Sequence, residues 1–304
     1  MITPRLDVLP PAQRQLWPQL APAAELGFVL YGGTAIALRL GHRQSVDFDF
    51  FSDRVLDRAK LDETFAFLGG SKVLQDEPNA LTVLVPGQDR PVKVSFFGGL
   101  RLGRIATPET TNDGVLQVAA IGDLMAHKLK VILQRAEAKD YQDLAAMIRA
   151  GARLDHGLAA ARRLFGDAFQ PSESLKALVY FQEGDLHLLD KTDRKTLVAA
   201  AATVRALPDV GLASRELSFA ALSWNADERD RRQEIQALQD TDVLENRAVM
   251  MRRAAEAPAN TVRRAQASIM ARELGAEARR RGLLRLPDQP RPSRRRRDRD
   301  DQSL

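Results

Sequence analysis

One stretch constrains this chain more than any other: Leu30 to Ser52, LYGGTAIALRLGHRQSVDFDFFS. A short apolar run, Phe28 to Tyr31, ends at Gly32-Gly33, and a helix-forming stretch, Thr34 to Leu40, follows. Val46 to Phe51 then alternates apolar and acidic residues, the period-2 pattern of a half-buried strand. A strand that stops at glycines and turns into a helix lets backbone N–H groups approach a phosphate, with the helix dipole favouring the anion. Asp47 and Asp49, two apart on the predicted strand, project from one face. Val46, Phe48 and Phe50 are expected to anchor the other face in the core. Carboxylates about 7 Å apart on one sheet face repel unless a cation or basic group sits between them. A Mg²⁺ ion, which favours one or two carboxylates plus phosphate oxygens, suits that place. The alternative is a solvent-facing strand with Arg43 as a local ion-pair partner.

The surrounding pattern sets the fold class. Lys60 to Leu68 reads as a helix stopped by Gly69-Gly70, and short strands are predicted at Ser71–Gln75, Leu81–Val85 and Val92–Phe97. From Ile121 the apolar period becomes helical, through Leu124, Met125, Leu129 and Ile132, then Leu144, Met147 and Ile148. Further helices are predicted at Leu154–Phe165, Leu175–Phe181 and Asp193–Leu207. Beyond Pro208 the chain is strongly charged. Asp227–Ala257 and Thr261–Arg281 read as long helices that pack as a hairpin, bind a partner, or lack order. The expected architecture is α+β. A small mixed sheet occupies residues 10–118, a helical part of the same domain 119–208, a charged helical extension 209–286, and a basic, disordered tail 287–304.

Composition removes whole classes of function. The chain has no cysteine, so disulfides and thiolate metal sites are excluded. No stretch approaches the roughly 20 apolar residues of a membrane span, and the N-terminus lacks the apolar core of a signal peptide. A cytoplasmic location without membrane association is therefore expected. The net charge of +5, with Arg294-Arg295-Arg296-Arg297 near the end, favours polyanionic partners such as RNA.

The Leu30–Ser52 segment resembles the signature of the AbiEii/AbiGii toxin family, minimal nucleotidyltransferases of the DNA polymerase beta superfamily. The likeness extends to Met125-Ala126-His127-Lys128-Leu129-Lys130 with Arg135, to Lys139-Asp140-Tyr141-Gln142-Asp143-Leu144, and to Ala177-Leu178-Val179-Tyr180-Phe181. It covers roughly residues 10 to 205. It implies a nucleotidyltransferase core in which Gly32, Gly33 and Thr34 cradle the triphosphate of an NTP, and Arg43 and Arg135 contact the nucleotide. Asp47 and Asp49 hold Mg²⁺, Lys128 contacts phosphate, and Asp140 approaches the site from the start of the next helix. The resemblance also implies transfer to a tRNA 3′ end or a protein hydroxyl, by a toxin restrained by a cognate antitoxin. His42 and His127 lie beside these motifs, but nothing in the sequence places either at the chemistry.

One position departs from the superfamily pattern. A third carboxylate is expected on a nearby strand, but the matching segment, Pro91 to Phe97, carries Ser95 there, with Lys93 on the same face. A serine hydroxyl can hydrogen-bond or weakly ligate a cation, but it is no carboxylate base. Asp140 supplies the missing group, or one ion suffices, or the chain is a non-catalytic nucleotide- or nucleic-acid-binding module. Transfer to a cationic small molecule ranks last, because no acidic cluster lies outside the motif.

Overall fold

In the computed structural model the described residues are 1–219, 227–238, 240–259 and 261–284. The basic tail expected over 287–304 lies outside them. Two units divide the chain, Met1–Ala220 and Ala221–Leu304.

The first unit opens with α1 (Pro11–Leu16) and then builds β1 (Val29–Tyr31), α2 (Gly32–Leu40) and β2 (Asp47–Phe51) from the constraining stretch. Next come α3 (Arg58–Thr64), β3 (Lys72–Glu77), β4 (Ala80–Val85), β5 (Val92–Phe97), β6 (Glu109–Thr110) and β7 (Gln117–Val118). Helices α4 (Ile121–Val131), α5 (Ala138–Arg149), α6 (Leu154–Phe165), α7 (Pro171–Val179) and α8 (Lys191–Thr203) complete the unit. The strands form one mixed seven-stranded sheet of order β3-β4-β5-β2-β1-β7-β6. β2 lies at its middle, antiparallel to β1 and parallel to β5. The α+β architecture read from the sequence is the one observed.

Local chemistry explains most of the boundaries. Gly41 ends α2 in the left-handed region at φ 66°, where an L side chain is strained. Asp57 caps α3 by accepting from the Lys60 N–H at 3.1 Å, and Asp190 caps α8 by accepting from Asp193 at 2.7 Å. The helix expected over Lys60–Leu68 instead stops at Thr64 and resumes as a 3-10 turn, Ala66–Gly70. Phe65 takes an extended backbone there and buries its ring, so core packing overrides helical period. The pairs β6 and β7 are two residues each, too short to leave a periodic signature.

Phe48 and Phe50 do anchor β2, both fully buried, with Phe50 stacked 5.3 Å from Phe96 and Phe28 set edge-on to Phe96 at 5.2 Å. Val46 does not share that role. It precedes the strand and is 41% exposed.

The second unit contains α9 (Glu228–Ala237), α10 (Asp240–Glu256) and α11 (Val262–Arg280). Ile235, Val243, Met250, Met270, Leu274 and Ala278 form its apolar cluster. Arg281 ties the ends together, donating to the carbonyls of Leu238 and Gln236 at 2.7 and 2.9 Å and pairing with Asp240 at 3.0 Å. The long helix expected over Asp227–Ala257 is divided into α9 and α10, and the described residues of this unit pack around the apolar cluster.

Candidate active site

The site grows from the turn between β1 and α2. Tyr31, at the N-cap, offers no side-chain hydrogen bond to the first turn of α2, which leaves N–H groups for an anion. Gly32 has φ +73°, and a Cβ there would lie 2.5 Å from Asp49 Oδ2. A Cβ on Gly33 would strike the Arg43 guanidinium. A side chain at either position would push aside a charged group of the site, and Gly32 is required by its backbone conformation. We expect Gly32→Ala to cost about 1–3 kcal/mol of stability and to displace Asp49. A thermal melt should fall, and any activity that depends on Asp49 should fall by about 10²-fold or more. An unchanged melt and activity would show that the turn tolerates a side chain.

Asp47 and Asp49 emerge from the same face of β2, as the alternating burial of that strand shows. The parallel register sets Asp47 beside Lys93 and Asp49 beside Ser95 on β5. The Lys93 ammonium lies 3.1 Å from Asp47 Oδ2. Ser95 is buried beside Asp49 in the strand register and accepts from the Thr82 hydroxyl at 3.3 Å. Burial pushes the Asp49 carboxyl above the usual carboxylate range, and Asp47 adds to the rise, while Lys93 and Lys128 oppose it. An acid in that environment is stabilised by a cation.

A second layer of charge stands behind this pair. Lys128 on α4 is buried, with Nζ 2.6 Å from both Asp140 Oδ1 and Asp143 Oδ2 on α5. Two of its three N–H donors are therefore engaged. Arg135 binds Asp140 from the other side, Nε to Oδ2 at 2.8 Å and Nη2 to Oδ1 at 3.3 Å. Burial tends to raise the Asp140 carboxyl, but Lys128 and Arg135 outweigh it and hold the group below its ordinary value. Asp143 is buried too, yet hydrogen bonds from His42 and Arg43, with the Lys128 charge, hold it well below the carboxylate range.

The sequence-predicted residues thus converge, with different tasks for three of them. The Thr34 hydroxyl, expected to face the triphosphate, is buried and turned to the Ser45 hydroxyl at 2.7 Å and to the Asp47 carbonyl. It fixes the entry to β2. Arg43 grips Asp143 through Nε and Nη2 at 2.7 and 2.8 Å and gives Nη1 to the Gln44 carbonyl. It pairs with neither Asp47 nor Asp49, and every nitrogen is already engaged with protein. Asp140, weighed as the missing carboxylate, has both oxygens engaged by Lys128 and Arg135. The solvent-accessible cations are Lys93 and Arg135, whose side chains are 38% and 46% exposed, against 8% for Lys128.

Two participants were not assigned from sequence. Asp143 lies three residues after Asp140, so spacing alone puts both carboxylates on one helical face. His42 leaves no such signal, because its bond to Asp143, Nε2 to Oδ1 at 2.7 Å, joins residues 101 apart. His127 remains remote from the charges. It packs among Tyr31, Phe51 and Phe165, and burial lowers its pKa to about 4.

Asp47 and Asp49 fit a single hard cation that retains water and takes phosphate oxygens. The adjacent Lys93 ammonium already answers part of their charge. Among the described residues, no group of three or more His, Asp or Glu side chains forms a larger metal cluster.

Fold and site together describe an α+β protein with two strand carboxylates beside an uncapped helix N-terminus. The chain belongs to the AbiEii family: the family model described as nucleotidyl transferase AbiEii toxin, type IV toxin–antitoxin system, matches residues 19–257. That match runs well past residue 205, where the resemblance readable from motifs ended. An uncharacterized protein of Aquifex aeolicus (strain VF5) is 32% identical over 163 residues, covering 51% of this chain and 74% of its own length. Among the described residues no helix is long and apolar enough to cross a membrane.

Proposed function

We propose that this protein transfers a nucleoside monophosphate from an NTP to a hydroxyl acceptor, with Asp47 and Asp49 holding Mg²⁺. The observation that carries this reading is the juxtaposition of two carboxylates on β2 with the uncapped N-terminus of α2, at a glycine whose missing Cβ leaves room beside Asp49. When bound, the ion supplies charge neutralisation on the phosphates. The α2 N-terminus receives phosphate oxygens, and Lys93 and Arg135 meet the exposed charge of the triphosphate. Lys128 keeps Asp140 and Asp143 in place and offers its third N–H. The acceptor oxygen forms a bond to the α-phosphorus as the bond to the bridging α–β oxygen breaks, and pyrophosphate leaves. The acceptor proton passes to water, since Ser95 cannot take it and Asp140 is engaged. We take the acceptor to be the 3′ end of a tRNA; the family's toxin–antitoxin description supports a cognate antitoxin that restrains the enzyme.

The test is incubation of the full chain with each α-³²P-labelled NTP, Mg²⁺ and total tRNA, beside Asp47→Ala. Label on tRNA with the parent alone supports the reading and names the nucleotide. Label on added protein in place of tRNA replaces the acceptor. The second reading, a non-catalytic binding module, is favoured by Ser95, which leaves the site one carboxylate short of the superfamily pattern. Ser95→Asp separates the two. If the parent is the enzyme, a third carboxylate 2% exposed beside Asp49 adds like-charge repulsion, and transfer falls by about tenfold or more. Activity appearing only in Ser95→Asp identifies the parent as a module that lost its chemistry.

A further inference from the structure

Arg135 faces two ways. On one side it holds Asp140 and feels the charge of Asp49. On the other it lines a cleft of about 650 Å³ between the α4–α5 connection and the end of α7. The wall opposite includes Val179 and Tyr180, which are 40% and 52% exposed although both are large and apolar or aromatic. Gln134 and Glu183 add polar groups to the lining. Neither has a side-chain hydrogen bond or ion pair among the described residues. The floor is rigid, because the Tyr141 hydroxyl donates to the Ala177 carbonyl at 3.1 Å. By contrast, the clefts at Arg162 and Arg163, about 490 Å³, and at Arg54, about 160 Å³, touch none of the site residues.

We infer that this cleft receives the nucleoside end of the NTP, with the base against Tyr180 and the phosphate chain running past Arg135 toward Asp47 and Asp49. The inference rests on the nucleotidyltransferase reading of the site and adds the place of the base. Its volume lies within the range of small-molecule sites, and its lining mixes apolar surface with charged groups, Arg135, Glu183 and the Glu173–Lys176 pair. An exposed aromatic ring and an arginine lining one cleft suit a base and its phosphate together, since every base has a face to stack and the cation answers the anion. Gln134 and Glu183 stand where a base edge is read, and a carboxylate there accepts from amino and imino N–H groups. The polarity of the cleft gives the direction. Arg135 is the lining residue that binds Asp140 of the site, so the phosphates occupy that end and the base lies at Tyr180.

The experiment is calorimetric titration of the full chain with each NTP plus Mg²⁺, with inorganic tripolyphosphate plus Mg²⁺, and with a short RNA ending in a free 3′ hydroxyl. It uses the parent, Tyr180→Ala and Tyr180→Phe. Because Tyr180 is exposed, its truncation leaves the core intact. We expect Tyr180→Ala to bind the preferred NTP about tenfold more weakly, the value of one lost stacking contact. Tripolyphosphate affinity should stay unchanged, and Tyr180→Phe should restore NTP affinity. NTP affinity indifferent to Tyr180→Ala overturns the assignment, and so does a loss confined to the RNA, which gives the cleft to the acceptor. A parent that binds neither NTP nor tripolyphosphate overturns the reading of the site itself, and the cleft with it.

Discussion

Lys128→Met should abolish transfer and destabilise the fold together. Lys128 lies between Asp140 and Asp143, 2.6 Å from each, and all three side chains are nearly or wholly buried. Removing one partner from a buried ion pair leaves charge without compensation, a change of about 3–5 kcal/mol. Arg135 still serves Asp140, and Arg43 with His42 still serves Asp143, which places the expected loss at the lower end of that range. Activity should fall by about 10³-fold, the scale of removing a positioned donor from a reaction centre. Adding Asp140→Asn to Lys128→Met separates the two effects. The uncompensated charge disappears, Arg135 is left in contact with water, and stability recovers while transfer stays lost. Urea unfolding of both variants checks the first half, and a label-transfer assay the second. A Lys128→Met protein as stable as the parent would mean that the two arginines alone carry the carboxylates.

The same cluster sets the acid limit of the fold. Asp140 and Asp143 both have folded-state values below the ordinary carboxylate value of about 4. A depressed acid contributes stability that is fully present above its unfolded value and is lost as pH falls through the folded one. Unfolding free energy should therefore decline steadily below about pH 4 in the parent. Lys128→Met, which removes one cause of both depressions, should make that decline smaller and end it at higher pH, because the onset is set by the unfolded chain.

Much of this site was legible in the sequence because its parts are local. Two aspartates on a period-2 strand and two glycines before a helix declare their geometry without reference to the rest of the chain. The helical face carrying Lys128 and the spacing of Asp140 and Asp143 declare theirs in the same way. What was not legible depends on tertiary register. That Lys93 meets Asp47 follows from the parallel pairing of β2 with β5, and no local pattern encodes which strands become neighbours. The family resemblance assigns Arg43 to the nucleotide, and the alternative reading pairs it with Asp47 and Asp49. The side chain turns instead to Asp143, a hundred residues away, because α5 packs against α2 and brings a fully buried carboxylate that needs a partner. Thr34 was read toward the ligand for its hydroxyl. The turn after α2 brings Ser45 and the Asp47 carbonyl back over it, and a buried hydroxyl takes the partner at hand.

Asp49→Asn should raise stability in metal-free buffer while removing transfer. The Asp49 carboxyl is held above its ordinary value, chiefly by burial and further by Asp47. For an acid raised on folding the linkage runs opposite to that of Asp140. The folded state binds the proton more tightly, so stability is greatest below the unfolded value and falls as pH rises toward the folded one. At neutral pH the ionised Asp49 therefore weighs against the folded state, and an isosteric amide relieves it by about 1 kcal/mol, a typical stability gain at a functional site. The hydroxyl of Ser95, which lies beside Asp49 in the register of β2 and β5, accommodates the amide as well as the carboxylate. Mg²⁺ should invert the order. A ligand that binds only the folded state stabilises it by RT ln(1 + [L]/Kd), so saturating Mg²⁺ with NTP should lift the parent melting temperature and leave Asp49→Asn nearly unmoved. The measurement is a pair of thermal melts per protein, one in chelator and one in Mg²⁺ with NTP. A variant less stable than the parent in chelator would assign Asp49 a structural role in β2. A variant that gains as much from Mg²⁺ as the parent would move the ion away from Asp49 altogether.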